Sequence, residues 1–423
     1  MHNPHSIDQV AAAKPGFFYG YIIAIAVFLI LFMALGTRFA YGVFFNSMSA
    51  ELHWNNAATA LGFSISVLME GIFCIILGGM TDKYGPRLVI SIAGILVGLG
   101  YCLMPLIHST WQFYLFYGVI IGIGMGGMFN PLVSTISRWF NVRRTLMTGL
   151  AISGNSLGLT IISPVATSLI HVYGWRTTFL AFGIVILIVV LTAAQFLKRD
   201  PSVLGLLPDG KPGRTVSGVA PEVSGLSFRQ ALKSYQCWLV FGILFASSFF
   251  FLSYQIYIVP DAIHNGMSDS HAAYILSVMG FGSIIGMLGL GALADRIGNR
   301  LIYIFGFILC VVASLAVVTN DIPAFYFIFA FLLGLACGSM VSSQAPLVAS
   351  LFGLKNLGAI FGVCGAGATL GQAVGPYIVG MLLDFTRDYN LALSFCFILA
   401  ILGVVFLLIL RPLQNASFKS ARL

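Results

Sequence analysis

Charge is what this chain has least of: 8% of its 423 residues are Asp, Glu, Lys or Arg, against roughly a quarter in an ordinary soluble domain. So thin a polar coat excludes water as the main solvent. The G-x-x-x-x-G-K-[ST] and H-E-x-x-H patterns are absent, which removes the usual signs of nucleotide-driven work and zinc hydrolysis. No C-x-x-C pair occurs among Cys74, Cys102, Cys237, Cys310, Cys337, Cys364 and Cys396. These lie singly in or beside apolar runs and read as packing residues, neither a disulfide framework nor a metal site. His53, His108, His171, His264 and His271 fall in or beside loops without metal-ligand spacing. No enzyme activity, cofactor or metal is expected. The first residues lack the apolar core and cleavage site of a removable leader, so the first apolar run is expected to serve as an uncleaved insertion signal.

What is present is hydrophobic: 59% of the residues are apolar, and 13% of all residues are aromatic. Runs of about 20 apolar residues are read twelve times, and each must be a helix, because lipid offers unpaired backbone groups no partner. The first is expected over 19–46, the seventh over 237–260 and the eighth over 271–293. Eighteen Lys and Arg side chains fall on the face that holds both termini, with only Arg176 and Arg387 on the other and Arg38 within a helix. Basic residues stay cytoplasmic, so the net charge of +8 signals topology and not nucleic-acid binding. The compact, short-looped chain is expected in a bacterial-type inner membrane with both termini in the cytoplasm, working as a monomer.

A repeat runs through this apolar chain. Gly78, Asp82, Gly85 and Arg87 recur 213 positions later as Gly291, Asp295, Gly298 and Arg300; Gly149, Gly154 and Gly158 recur as Gly362, Gly367 and Gly371, and Tyr41 as Tyr254. Duplicated apolar bundles with a ligand held between them are the plan of a secondary transporter. The expected fold is therefore all-α, with twelve transmembrane helices in two pseudo-symmetric six-helix bundles: residues 1–197, a polar cytoplasmic linker at 198–236 containing Pro201, Pro208, Pro212 and Pro221, and residues 237–423.

The segments G-G-M-T-D-K-Y-G-P-R (Gly78–Arg87) and G-A-L-A-D-R-I-G-N-R (Gly291–Arg300) form a pair that resembles the cytoplasmic signature of the major facilitator superfamily. Their glycines permit tight turns, and Asp82 and Asp295 are suited to bind a neighbouring helix N-terminus or a cation, closing a latch to which Arg87, Arg296 and Gly298 also belong. The W-F-x-x-x-R run at Trp139–Arg144, the glycine series after it and Y-G-V-F-F at Tyr41–Phe45 resemble the monocarboxylate and oxalate/formate branch. That resemblance implies alternating access. It also implies an arginine in the eighth span, about eight residues before the second latch aspartate, to hold a substrate carboxylate. Here that place is Met287, and the carboxylate that some relatives carry four residues earlier is Ser283.

Two charges remain inside the spans, Arg38 and Glu70. Each costs at least about 2.5 kcal/mol facing lipid, so each is expected to face the interior. Arg38 is the candidate contact for an anionic cargo and Glu70 for a coupling proton; the structural alternative is an Arg–Glu pair. Tyr41, Tyr254, Gln255 and Tyr257 are candidates for a polar, aromatic gate, with interfacial anchoring as the alternative. Asn130, Asn155, Gln344 and Gln372 are candidate hydrogen-bonding contacts. The expected cargo is a small organic anion moving with a proton or against a counter-solute. A permease or exporter of a neutral or amphipathic solute, and a carrier-like nutrient sensor, stay open.

Overall fold

Apolar runs with no polar surroundings leave the backbone to bond with itself. The computed structural model, which describes residues 18–52, 54, 56–210, 225–318, 323–387 and 389–411, is helical almost throughout. Residues 1–17, His53, the linker prolines Pro212 and Pro221, and the basic residues Lys419 and Arg422 lie outside the described residues.

Helix α1 spans Gly20–Phe39, pauses at Ala40 and resumes over Tyr41–Leu52, past the expected end at residue 46. It is followed by α2 (Asn56–Tyr84), α3 (Pro86–Leu103) and α4 (Thr110–Trp139), the last containing a π-helical stretch, Tyr114–Ile121. The next helix, Arg144–Gln195, is 52 residues long but breaks at Gly174, where φ is 77° and ψ 164°. Glycine supplies that positive φ without a Cβ clash, so residues 144–173 form α5 and residues 175–195 form α6. In the second half lie α7 (Tyr235–His264), α8 (Asp269–Ile285 continued by a π turn and Gly291–Ile297), α9 (Asn299–Val318), α10 (Pro323–Phe352), α11 (Leu357–Thr386) and α12 (Tyr389–Ile409). Among the described residues nine helices meet the length and hydropathy needed to cross a bilayer. Dividing the 52-residue helix at Gly174 and adding the shorter apolar stretches of α9 and α12 brings the total to the twelve expected.

The 213-residue repeat persists in contacts. Gly154 and Gly158 of α5 lie against the Phe28 and Phe32 carbonyls of α1, and Gly367 and Gly371 of α11 lie against the Phe241 and Phe245 carbonyls of α7. A side chain at any of the four would strike that backbone. Arg87 donates to Gln195 at the end of α6, while Arg300 donates to the Leu407 and Leu408 carbonyls at the end of α12. Each half is thus a copy of the other in packing as well as in residue type.

The chain between the halves is docked at both described ends. Trp139 Nε1 donates to the Lys198 carbonyl at 2.9 Å, and the Asp209 carboxylate accepts the Asn141 and Val142 amides. On the far side Leu226 N donates to Phe352 O at 2.9 Å and Asn356 Nδ2 to Leu226 O at 3.0 Å.

Candidate functional site

Helix starts leave backbone amides without intrahelical acceptors, and the two repeat aspartates exploit this across the interface between the halves. Asp82, near the end of α2, accepts the Gly358 and Ala359 amides at 3.0 and 2.8 Å, at the start of α11. Asp295, near the end of α8, accepts the Thr145 and Leu146 amides at 2.7 and 3.0 Å, at the start of α5. The donors are themselves 213 positions apart, so the two latches are copies exchanged by the pseudo-twofold axis. Gly78 and Gly358 allow α2 and α11 to touch backbone to backbone, and Gly149 lies against the Met287 carbonyl of α8. Gly291 adjoins the Thr145 carbonyl. Gly85 and Gly298, with φ of 86° and 98°, make the tight turns that the sequence predicted. Arg87 points to its own half and Arg296 is exposed, so neither arginine bridges the halves. One asymmetry remains. Arg138, its side chain 3% exposed, donates to Asp82 at 2.6 Å and to Asp200 at 3.3 Å, while its repeat counterpart is Leu351.

Glu70 sits halfway along α2, about 18 Å from Asp82 at 1.5 Å per residue, facing α1 where Arg38 ends its first segment. The two are paired: Arg38 Nη1 donates to Glu70 Oε2, with side chains only 13% and 16% exposed. The guanidinium also lies over the Phe63 ring, 5.6 Å from its centroid. Tyr41 joins this wall, 5.1 Å from Phe63 and 4.8 Å from Tyr117 between centroids. Just towards the latch, Gly71 meets Thr369 of α11 and Asn130 of α4 meets Gly365 of α11, so the pair stands above the seam that closes the halves. Its repeat counterparts are Phe251 and Ser283. The charge therefore belongs to one half of an otherwise duplicated scaffold.

The other candidates separate. Asn130 and Gln344 are buried, on α4 and α10, and Asn155 Oδ1 on α5 is buried without a hydrogen-bond partner among the described residues. Gln372 is exposed, although it lies between the α11 faces that pack on α2 and α7. The tyrosines do not gather as a gate. Tyr254 is buried between Phe250 and Phe329 in the second half, while Tyr257 donates to the Pro376 carbonyl at 2.9 Å, fastening α7 to α11. Gln255 is half-buried between them on α7. Met287 is buried in the π turn of α8.

One buried acid escaped the sequence reading. Asp261, 1% exposed, accepts Tyr326 OH at 3.1 Å and Asn265 Nδ2 at 3.3 Å. Pro260 was expected to end the seventh span, but α7 carries it internally and continues to His264. A polar cluster of Asp261, Asn265 and a distant Tyr is the signal that sequence spacing hides.

The Major Facilitator Superfamily family model matches residues 27–261 and 241–422, two overlapping matches that together cover both halves. The chain belongs to the major facilitator superfamily. Human Monocarboxylate transporter 7 is 24% identical to this major facilitator chain over 93% of it and 86% of the human protein. The Agnestins efflux protein AgnL12 of Paecilomyces divaricatus is 27% identical over 92% and 87% respectively. In fold it is similar to the human organic anion transporter MFSD10, with a TM-score of 0.70 at 16% identity, covering 92% of this chain and 99% of that one. These relatives are transporters, and this major facilitator protein is an integral, multi-pass membrane transporter of a small molecule, not an enzyme.

Proposed function

We propose that this carrier moves a small organic anion of the monocarboxylate class together with a proton, by alternating access. The observation that carries the reading is the buried Arg38–Glu70 pair. While Glu70 is ionised it occupies the guanidinium; a proton on Glu70 removes that partner and leaves Arg38 to a cargo carboxylate, which it can hold by paired hydrogen bonds. Two states of the site are then neutral: empty with Glu70 ionised, and loaded with Glu70 protonated. The other two leave an unpaired buried charge, which is costly. Only the neutral states reorient easily, and that rule couples proton to anion.

In this reading Asn130, Asn155, Gln344 and Gln372 supply neutral hydrogen bonds to the cargo, Tyr41 forms one wall, and Tyr254, Gln255 and Tyr257 support the other. Similarity to a protein named a monocarboxylate transporter supports the cargo class. The basic-residue split supports cytoplasmic termini and cytoplasmic latches, with bundles at 1–197 and 237–423, a linker at 198–236 and a monomeric working unit. The matched relatives described above are eukaryotic; a bacterial-type inner membrane is proposed from short loops alone.

The test is uptake of labelled carboxylates into proteoliposomes, with and without a pH gradient. Arg38→Gln is expected to abolish anion uptake, and Glu70→Gln to keep anion exchange while removing its acceleration by an inward proton gradient. Unchanged uptake by Arg38→Gln rejects the assignment. Met287 in place of the branch arginine, together with a relative named an efflux protein, favours a second reading, proton-coupled export of an amphipathic solute; transport of a neutral solute untouched by Arg38→Gln selects it.

A further inference from the structure

A cleft of about 200 Å³ opens at the latch end, away from the Arg38–Glu70 site, lined by Phe18, Tyr21, Phe140, Arg143, Met147 and Asp209. Three of its walls are rings in mutual contact: Phe18 stands edge-on to Tyr21 and to Phe140 at 5.7 and 5.5 Å, and Tyr21 lies 6.0 Å from Phe140. A ring face lining a cleft attracts an ammonium group by cation–π interaction. A carboxylate closes the box. Asp209, held at φ 63°, is fixed there by the Asn141 and Val142 amides. Arg143 is exposed on the same rim and is the guanidinium to pair with a phosphate.

From the cleft an apolar stripe runs along the α1–α5 seam: Tyr21, Ile25 and Leu29 on one side, Leu150, Leu157 and Ile161 on the other, all exposed. Such a surface along two membrane-spanning helices faces acyl chains. The rings and the guanidinium share one cleft, and the apolar track begins at its edge with Tyr21.

We propose that this cleft binds the headgroup of a zwitterionic phospholipid, its ammonium in the Phe18–Tyr21–Phe140 box beside Asp209 and its phosphate on Arg143. The site joins α1, the start of α5 and the linker's first segment, all of which belong to one half, so a bound lipid stiffens that half without touching the cargo site.

The full-length protein in detergent, titrated with short-chain phosphatidylethanolamine, phosphatidylglycerol and free O-phosphoethanolamine and read by native mass spectrometry, tests this. Phosphatidylethanolamine is expected to bind at least tenfold more tightly than the other two. Arg143→Gln should weaken it about tenfold, and Asp209→Asn, which keeps an acceptor and tolerates the positive φ, should erase the preference over phosphatidylglycerol. Both variants should elute and melt like the wild type in lipid-free detergent. Equal or tighter phosphatidylglycerol binding, equally tight free phosphoethanolamine, or wild-type selectivity in both variants overturns the proposal.

Discussion

At the scale of single residues, pairing decides what each charge can do. Arg38 and Glu70 compensate each other, so removing one should hurt more than removing both. Arg38→Gln alone leaves a buried carboxylate unpaired, a loss of about 3–5 kcal/mol where such pairs have been broken. The double variant Arg38→Gln, Glu70→Gln is expected to recover most of the melting temperature and none of the anion transport. Thermal melts beside uptake assays separate these outcomes. Glu51 is a different case, exposed at the end remote from the latches. A hydrogen bond from Arg176 chiefly, with one from Trp175, holds its carboxyl below the usual 4.5. Because the folded pKa is depressed, the stabilisation is present above the unfolded value and is lost as pH falls through the folded one. Glu51→Gln should therefore melt below wild type at pH 7, and the gap should close in acid; a gap independent of pH removes the pair from consideration. The sequence offered the Arg38–Glu70 pair only as the structural alternative, and it gave no sign of the Glu51 contacts. Spacing placed Arg38 and Glu70 at nearby depths, but helix azimuth and rotamer decide whether they meet.

Between elements, close approach is set by glycine. Gly149 touches the Met287 carbonyl and Gly358 the Gly78 carbonyl, so Gly149→Val and Gly358→Val should each hold the latch end apart. Cysteines introduced near that end are expected to label faster in both variants, while the opposite end labels no faster than in wild type. Equal labelling would show that the helices shift to absorb the methyl groups. The repeat singled out Gly78 and Gly149 but not their contacts: Gly78 lies within a helix, and Gly358 has Thr145 as its repeat counterpart. Helix ends were less readable. Pro260 looked like a stop, yet α7 runs on through it, and with it went the chance of seeing Asp261 as buried. Repeat-related Tyr41 and Tyr254 each pack within their own half, as equivalent positions of two folded copies do.

For the whole molecule, the two latches share a geometry and differ in surroundings. Asp82 neutralises buried Arg138 as well as capping α11, whereas Asp295 caps α5, with Asn299 bonded to Thr145 at 2.9 Å beside it. Asp82→Asn should consequently cost more stability than Asp295→Asn, although both open the same end. Spin labels across the latch end would report the distance distribution, and equal melting losses would count against the role given to Arg138. Twelve spans and the duplicated bundles followed from composition and a 213-residue repeat, since those depend on residue type at fixed spacing. Which half bears the intramembrane ion pair depends on two residues that the repeat does not copy. The docked linker stubs carry one more consequence. Because Lys198 and Asp209 are tied to the first half and Leu226 to the second, covalent continuity between residues 211 and 224 is expected to be dispensable for assembly. Two polypeptides, co-expressed from separate reading frames and split there, should find each other in the bilayer, co-purify through a tag on either one, and restore uptake.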